Sequence, residues 1–576
     1  MSVTGVQTTD ENLAHKRNIA ILFVAVLAAG TAVALIMYSH DRYSLLFYGD
    51  AVSHLVGARK LFDWSENPGW SQLGTVWLPL PHFLLVFPSL IDSLFFTGFA
   101  GLAISLPCLA LTAVFIYKII ERILSAHLQA NRWIISYAAF AGALLYALNP
   151  NFLYLGITAM TEAPFMLFFA GSAYYLLKWF ELYSTADLRK RSKYVLISSI
   201  FASAATLCRY EGWVLPVFII TAVVLAEILQ LRRRKIGENR SFAKETSRSA
   251  SISGMVHATK KTSVALMIMA SLVSASGIAF WLVYNKVTYG NALEFESQKY
   301  YSAAAQALSR PIRETLFLQP LNDFNVYGTT MFIVYGPVVL ASAGFGYYLY
   351  LRLRKSLSRG DRPRTEKTSF FLLYLLLPAG FTIASLLIGI GEMTLWFNSR
   401  FVILIAPLVL VLVSVYISRQ PKMIIRNKLF LFAVIGSLFA FQFCLPAYGA
   451  VVTLADASAG FDTGSSSYSV AAGEMMRHLY DGEGKIMVIT GSSQEHRIMI
   501  ASGIQLHNFD DITESSSWKK SFYAPWNTDD RFIILGRQPD SDAVSVIKYW
   551  QDHRPALDEH YHSVYEDKYY EILARS

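Results

Sequence analysis

Lys16–Tyr38 reads KRNIAILFVAVLAAGTAVALIMY, and no charged side chain follows Arg17 within it. A run of about 20 apolar residues is long enough, as a helix, to cross the hydrocarbon core of a bilayer. Ile19–Tyr38 is too long for a signal-peptide core and ends without a small-residue cleavage site, so it reads as a retained anchor. Lys16 and Arg17 place the N-terminus, residues 1–18, in the cytoplasm, and the segment after Tyr38 outside.

The rest of the chain repeats this grammar. Of its 576 residues, 54% are hydrophobic and 16% charged, well below the charged share of about 25% in soluble domains. The aromatic share of 14% suits lipid-facing walls and interfacial belts. Cys108, Cys208 and Cys444 lie in apolar stretches and offer neither a disulfide framework nor metal-site spacing. After Ile19–Tyr38, spans are expected near Thr97–Ile120, Trp133–Leu148, Ile157–Phe180, Tyr194–Cys208 and Trp213–Leu231. Ser263–Tyr284, Val326–Leu351, Phe370–Ile390, Phe401–Ile417 and Leu429–Tyr448 follow, making about 11. Val76–Leu90 contains Pro79, Pro81 and Pro88 and reads as an outer-surface or re-entrant segment.

Charge supports that choice. It leaves Lys118, Arg122 and Arg132 inside, together with Asp187–Lys193, Arg232–Lys261, Arg352–Lys367 and Arg419–Lys428, all basic. From Ala450 onward there are 19 acidic and 11 basic residues, whereas the whole chain carries +9. The positive surplus therefore sits in short cytoplasmic loops, and no nucleic-acid partner is needed to explain it.

The expected fold is an all-α polytopic transmembrane bundle, residues 19–449, followed by an extracytoplasmic α/β domain, residues 450–576. Within the bundle, 39–96 forms the first outer loop, 232–261 a Ser-, Lys- and Arg-rich mobile cytoplasmic linker, and 286–325 a large outer loop with a helix-like stretch suited to gating a site. In the C-terminal part, KIMVIT (Lys485–Thr490) and RFIILG (Arg531–Gly536) read as buried strands, with helical patterns at Val470–Tyr480 and Asp542–His553. It has no Gly-rich phosphate loop.

With sides assigned, polar residues set in apolar sequence can be sorted. Asp50 and His54 follow the first span, and Glu162 starts the fourth. Arg209 and Glu211 join the fifth and sixth, and Asn398 and Arg400 join the ninth and tenth. All fall near the outer interface. The alternative, a polytopic transporter or lipid flippase, would be expected to place ionisable residues near the midplane, whereas an enzyme acting on a lipid headgroup would place them here. Each has a plain structural alternative. Asp50 would cap the helix AVSHLVGARKLF, whose stripe Ala51, Leu55, Ala58 and Phe62 suits a helix lying on the membrane surface. Arg209 and Glu211 neutralise each other, the helix dipole favours Glu162, and Arg400 snorkels to headgroups.

Glycosyl transfer from a lipid-phosphate sugar would use this set. The acceptor hydroxyl needs a base, and a carboxylate beside an apolar surface has its pKa raised toward that role. The leaving group is an anionic polyprenyl phosphate, which a guanidinium holds through parallel hydrogen bonds.

An acidic residue just after the first span, VWLPLPH (Val76–His82), TEAPF (Thr161–Phe165) and YNKVTYGNALEF (Tyr284–Phe295) together resemble the GT-C glycosyltransferases, in particular the protein-mannosyltransferase and aminoarabinose-transferase branch. The resemblance covers roughly Ile19 to Tyr448 in organisation. It implies Asp50 as the base, inversion at the anomeric carbon and a polyprenyl-phosphate sugar donor. Arg400 and Arg209 are the phosphate-side candidates, with His54, Glu162, Glu211 and Asn398 shaping the sugar and acceptor pocket. Many members have two adjacent acidic residues where this chain has Asp50 and Ala51, so the second acidic role is either unfilled or moves to Glu162. No cofactor is expected. Asp50, His54 and Glu162 offer a divalent metal no spacing motif, and metal is not favoured. The expected partners are the lipid-linked donor, membrane lipids and an acceptor glycan, lipid or protein. A membrane scaffold presenting 450–576 is a further alternative. It predicts that the outer polar residues do not converge.

Overall fold

The computed structural model describes residues 3–64, 68–127, 132–182, 187–242, 249–297, 319–336, 363–394, 397–419, 436–437, 440–442, 444, 451–462, 465–490, 492–511, 522–537 and 544–576. Among these, five helices are long and apolar enough to cross a membrane, and three shorter apolar ones accompany them. The chain is an integral membrane protein.

The first helix, α1 (Val3–His40), contains the opening apolar run. α2 (Gly49–Lys60) and the Pro-rich α3 (Leu80–Ser89) follow. Helix α3 has ten residues, too few to span, as its prolines foretold. Next come α4 (Phe99–His127), α5 (Arg132–Ala147), α6 (Glu162–Leu182), α7 (Leu188–Thr206), α8 (Val214–Phe242) and α9 (Ser249–Tyr289). α10 (Gln319–Tyr335), α11 (Pro363–Leu387) and α12 (Ala406–Arg419) complete the described bundle. The expected eleventh span lies mostly outside the described residues.

Helix α4 is the hub, packed by α1, α5, α6 and α12. Small buried residues, Ala100, Ala110 and Ala113, let its neighbours approach. At Gly101 the approach is to main chain, since a Cβ there would lie 2.4 Å from the backbone nitrogen of Ala159. One turn on, Ser105 Oγ donates to the Thr158 carbonyl at 2.6 Å. The loop Ile157–Thr161 is thus pressed and pinned immediately ahead of Glu162. The helix expected as the fourth span begins at Glu162, not at Ile157 as the apolar run suggested.

Three other expectations are revised. Helices α8 and α9 continue through most of 232–261, where Ala, Lys, Arg and Glu favour helix enough to offset the serines. The basic run Asp187–Lys193 opens α7 instead of forming a loop, and Arg191 is buried against Glu227 and Gln230 of α8. Helix also occupies both ends of the large outer loop, up to Tyr289 and from Gln319, with a short helix Glu294–Ser297 between. Residues 298–318, including most of the proposed gate, lie outside the described residues.

The C-terminal part begins with α13 (Val452–Asp462) and α14 (Ser465–Leu479). It continues with β1 (Lys485–Ile489), α15 (Ser492–Ser502), β2 (Phe509–Asp511), β3 (Asp530–Gly536), α16 (Val544–Asp552), β4 (Tyr561–Glu566) and β5 (Tyr570–Arg575). The sheet order is β2-β1-β3-β5-β4, with β1 parallel to β2 and β3, and β5 antiparallel to β3 and β4. Strand alternation divides the core. Met487 and Ile489 pack with Trp550 on one face, whereas Ile486 and Val488 join Ile498 and Met499 in a cluster continuous with the membrane bundle. One sheet face is therefore docked on the bundle through α15, which lies on α2.

That docking explains why α2 is not a membrane-surface helix. Val52, Ser53, His54, Leu55, Val56, Arg59 and Lys60 are buried along with the expected stripe residues Ala51 and Ala58. Only Phe62, just beyond the helix end, stays exposed. Arg59 ties α2 to Asp63 at 2.7 Å, to Asp92 at 2.6 Å and to Gln505 of the C-terminal part.

Candidate active site

Four chain segments deliver charge to one place. The α2 N-cap is Tyr48, in an extended conformation, so Asp50 is not the cap but sits in the first turn. Glu162 is the first residue of α6. Arg209 and Glu211 lie in the tight link between α7 and α8, which includes the 3-10 turn Tyr210–Trp213. Arg400 lies in the 3-10 segment Ser399–Ile405 that leads into α12.

Arg400 holds the group together. Its Nη2 donates to Asp50 Oδ2 at 2.8 Å and its Nε to Glu162 Oε1 at 3.1 Å. Its Nη1 stands 3.8 Å from Asp456 Oδ2. Arg209 donates through Nη1 to the same Glu162 oxygen at 2.6 Å and to Thr161 Oγ1 at 3.0 Å, and through Nη2 to Glu211 at 2.7 Å. Phe401 lies under both guanidinium groups, at 5.2 Å from Arg209 and 5.6 Å from Arg400. Such charge-assisted bonds are strong, and desolvation makes their loss expensive.

Exposure ranks the carboxylates. The Glu162 side chain is 0% exposed and Asp456 5%, while Asp50 is 41% exposed. Asp50 is therefore the member that an incoming molecule can touch. Among the described residues Glu162 Oε2 is buried with no partner, leaving one acceptor in the cluster to be filled.

Asp456 was not found from sequence. It lies on α13, in the segment assigned to the C-terminal domain, yet its Oδ2 is within 3.4 Å of the Tyr48 hydroxyl and 3.3 Å of Ser399 Oγ. The usable signal was present: an acidic residue shortly after an apolar span, the placement that singled out Asp50. Thr453 fixes α13 by accepting from Tyr48 OH at its carbonyl (2.7 Å) and by donating from its backbone nitrogen to Asn151 Oδ1 (3.2 Å).

Burial pushes the Asp456 carboxyl up to about 6, against the pull of Arg400. The folded protein thus holds this proton more tightly than the unfolded chain, whose carboxyl titrates near 3.8. Stability contributed by the protonated form is lost as pH rises from about 4 to about 6. Thermal midpoints of wild type and Asp456→Asn are expected to converge or cross over that interval, with the wild type losing ground as pH rises. A constant difference would remove Asp456 from the titration.

His54 and Asn398 stand apart from the ion pairs. His54 Nδ1 is 3.0 Å from His82 Nε2, and its ring lies 4.6 Å from that of Trp77. Burial lowers His54 well below the usual histidine range, with His82 and the two guanidiniums adding to the effect. Burial takes His82 down to about 4. His54 is thus half of an uncharged buried pair. Asn398 contributes backbone: at φ 59° it occupies the left-handed region that Asn tolerates, and its side chain donates to the Glu392 carbonyl at 3.0 Å. That turn aims Ser399 and Arg400 into the cluster. Asp50 and Glu162 are engaged by Arg400 and His54 by His82. Among the described residues no three His, Cys, Asp or Glu side chains are grouped as a metal site would need.

The fold and site thus define an integral membrane protein with two half-buried arginines shared among four carboxylates. No family model and no curated protein matches the sequence. Among solved structures, the chain is similar to ArnT from Cupriavidus metallidurans bound to undecaprenyl phosphate, at 12% identity and a TM-score of 0.48, over 95% of this chain and 97% of that one. It is similar to the oligosaccharyltransferase of Archaeoglobus fulgidus in complex with Zn and sulfate, at 14% identity and a TM-score of 0.41, over 96% and 73%. A third likeness, at 17% identity and a TM-score of 0.28, is to the S. cerevisiae protein O-mannosyltransferase Pmt1–Pmt2 complex bound to the sugar donor, over 48% of this chain and 35% of that one.

Proposed function

We propose that the chain is an inverting membrane glycosyltransferase that moves a sugar from a polyprenyl-phosphate donor to an acceptor hydroxyl on the external face of the membrane. The supporting observation is convergence. Asp50, Glu162, Arg209 and Arg400 come from four separate segments and share hydrogen bonds. A scaffold has no use for that, and a carrier would gather its charges at mid-span instead of at helix ends.

In this reading Asp50 takes the proton of the acceptor hydroxyl. The hydroxyl oxygen bonds to the anomeric carbon as the carbon–oxygen bond to phosphate breaks on the opposite face, giving inversion. The electron pair leaves with polyprenyl phosphate. Arg400, helped by Arg209, offsets that charge. The donor phosphate competes with Asp50 for Arg400, so donor binding frees the aspartate for the acceptor. Glu162 and Glu211 keep the guanidiniums fixed, and His54 supplies an uncharged wall. The N-terminus is cytoplasmic and the sheet domain extracytoplasmic.

The deciding experiment is incubation of the purified protein in lipid nanodiscs with a panel of undecaprenyl- and dolichyl-phosphate sugars, with and without candidate glycan, lipid and peptide acceptors. Release of polyprenyl phosphate with one donor is the expected result. Silence across the panel, with binding intact, would refute the transferase reading.

A further inference from the structure

The segment that carries Asp50 is gripped from the far end of the sequence. Helix α15 packs on α2, and the Arg497 side chain is buried between them. Its Nη1 donates to the Leu46 carbonyl at 2.9 Å and its Nη2 to the Phe47 carbonyl at 2.7 Å. These are the two carbonyls ahead of Tyr48, whose extended backbone starts α2. Phe461 of α13 covers the guanidinium at 5.1 Å. His496 stands 2.8 Å from Ser53 Oγ, three residues beyond Asp50. On the other side Glu474 of α14 accepts from the Tyr43 hydroxyl at 2.7 Å. Residues 43–53 are thus held along their whole length by the C-terminal domain.

A buried guanidinium is an expensive way to fill space, since it must be desolvated and an apolar side chain need not be. Its distinctive property is a rigid planar fork that fixes two acceptors relative to each other. Here the two acceptors are consecutive carbonyls whose orientation sets the first turn of α2.

We infer that Arg497 is a positioning residue for sugar transfer: by clasping the Leu46 and Phe47 carbonyls it sets the direction in which Asp50 faces the substrate. The inference rests on the reading of Asp50 as the base. The C-terminal domain then completes the catalytic unit instead of being an appendage to it. Misplacement of a reacting group by about 1 Å can cost about 100-fold in rate.

The test uses the full-length protein in nanodiscs, the panel donor with the fastest turnover, and undecaprenyl phosphate as binding probe. Arg497→Met is expected to lower kcat about 10- to 100-fold while leaving undecaprenyl-phosphate affinity within about threefold. Arg497→Lys keeps the charge but cannot fork, so it should stay folded with a lowered thermal midpoint and lose about 3- to 10-fold in kcat. That variant decides the matter alone if the methionine variant fails to fold. Unchanged kcat in Arg497→Lys overturns the inference, as does loss of binding in proportion to kcat. Asp50→Asn separates the two readings. If it stays active, the base assignment fails. If it is inactive while both Arg497 variants are normal, only the positioning role fails.

Discussion

Asp50→Asn lowers transfer by about 10²- to 10⁴-fold and leaves the fold intact: this is the expected result, and it sets the scale for general-base removal. The asymmetry of the cluster is the reason. Asp50 is the exposed carboxylate, bound through one oxygen to one guanidinium nitrogen. An amide of the same shape keeps an acceptor oxygen for Arg400 but cannot take a proton. Arg400 retains Glu162 and the nearby Asp456, so little stability is lost. The measurement is kcat with the selected donor, beside the thermal midpoint and undecaprenyl-phosphate affinity. Wild-type turnover in this variant would remove Asp50 from the chemistry. A large fall in midpoint would recast it as a structural residue.

Arg400→Ala should do the opposite, striking stability and binding together. It strips Asp50 of its bonded guanidinium, leaves Asp456 without its nearby cation and leaves buried Glu162 with Arg209 alone. Breaking a buried pair costs about 3–5 kcal/mol. Affinity for undecaprenyl phosphate should fall about 10- to 100-fold, the worth of one or two hydrogen bonds to a charged group. Arg400→Lys should regain part of the stability and little of the affinity, because Lys cannot make the planar fork. Undiminished affinity in a destabilised Arg400→Ala protein would confine this residue to holding the helices together.

These expectations trace to features readable in the sequence to different degrees. Apolar run length picked out the five described helices long enough to cross a membrane, because bilayer thickness sets that length, and strands β1 and β3 stood out as short β-branched runs beside turn residues. The placement of Asp50, Glu162, Arg209 and Arg400 near the ends of apolar segments followed from the same runs. Their convergence did not, since it depends on which helices neighbour which. Asp456 escaped because a change of composition at Ala450 reads as a domain boundary, and α13, which lies just beyond it, packs back into the site. The burial of α2 escaped because its cover, α15, is more than 400 residues away in sequence. Arg191 escaped because a buried arginine in a basic run looks like its solvated neighbours until Glu227 is placed opposite.

The contact between Gly101 and the Ala159 backbone reaches beyond packing. An added methyl at residue 101 cannot be absorbed by a side-chain rotation, because what it meets is main chain. It would have to push the loop that launches Glu162, and with it the oxygen shared by the two arginines. A random search for inactive alleles should therefore recover tiny, uncharged positions on an interior helix as readily as the ionisable residues themselves.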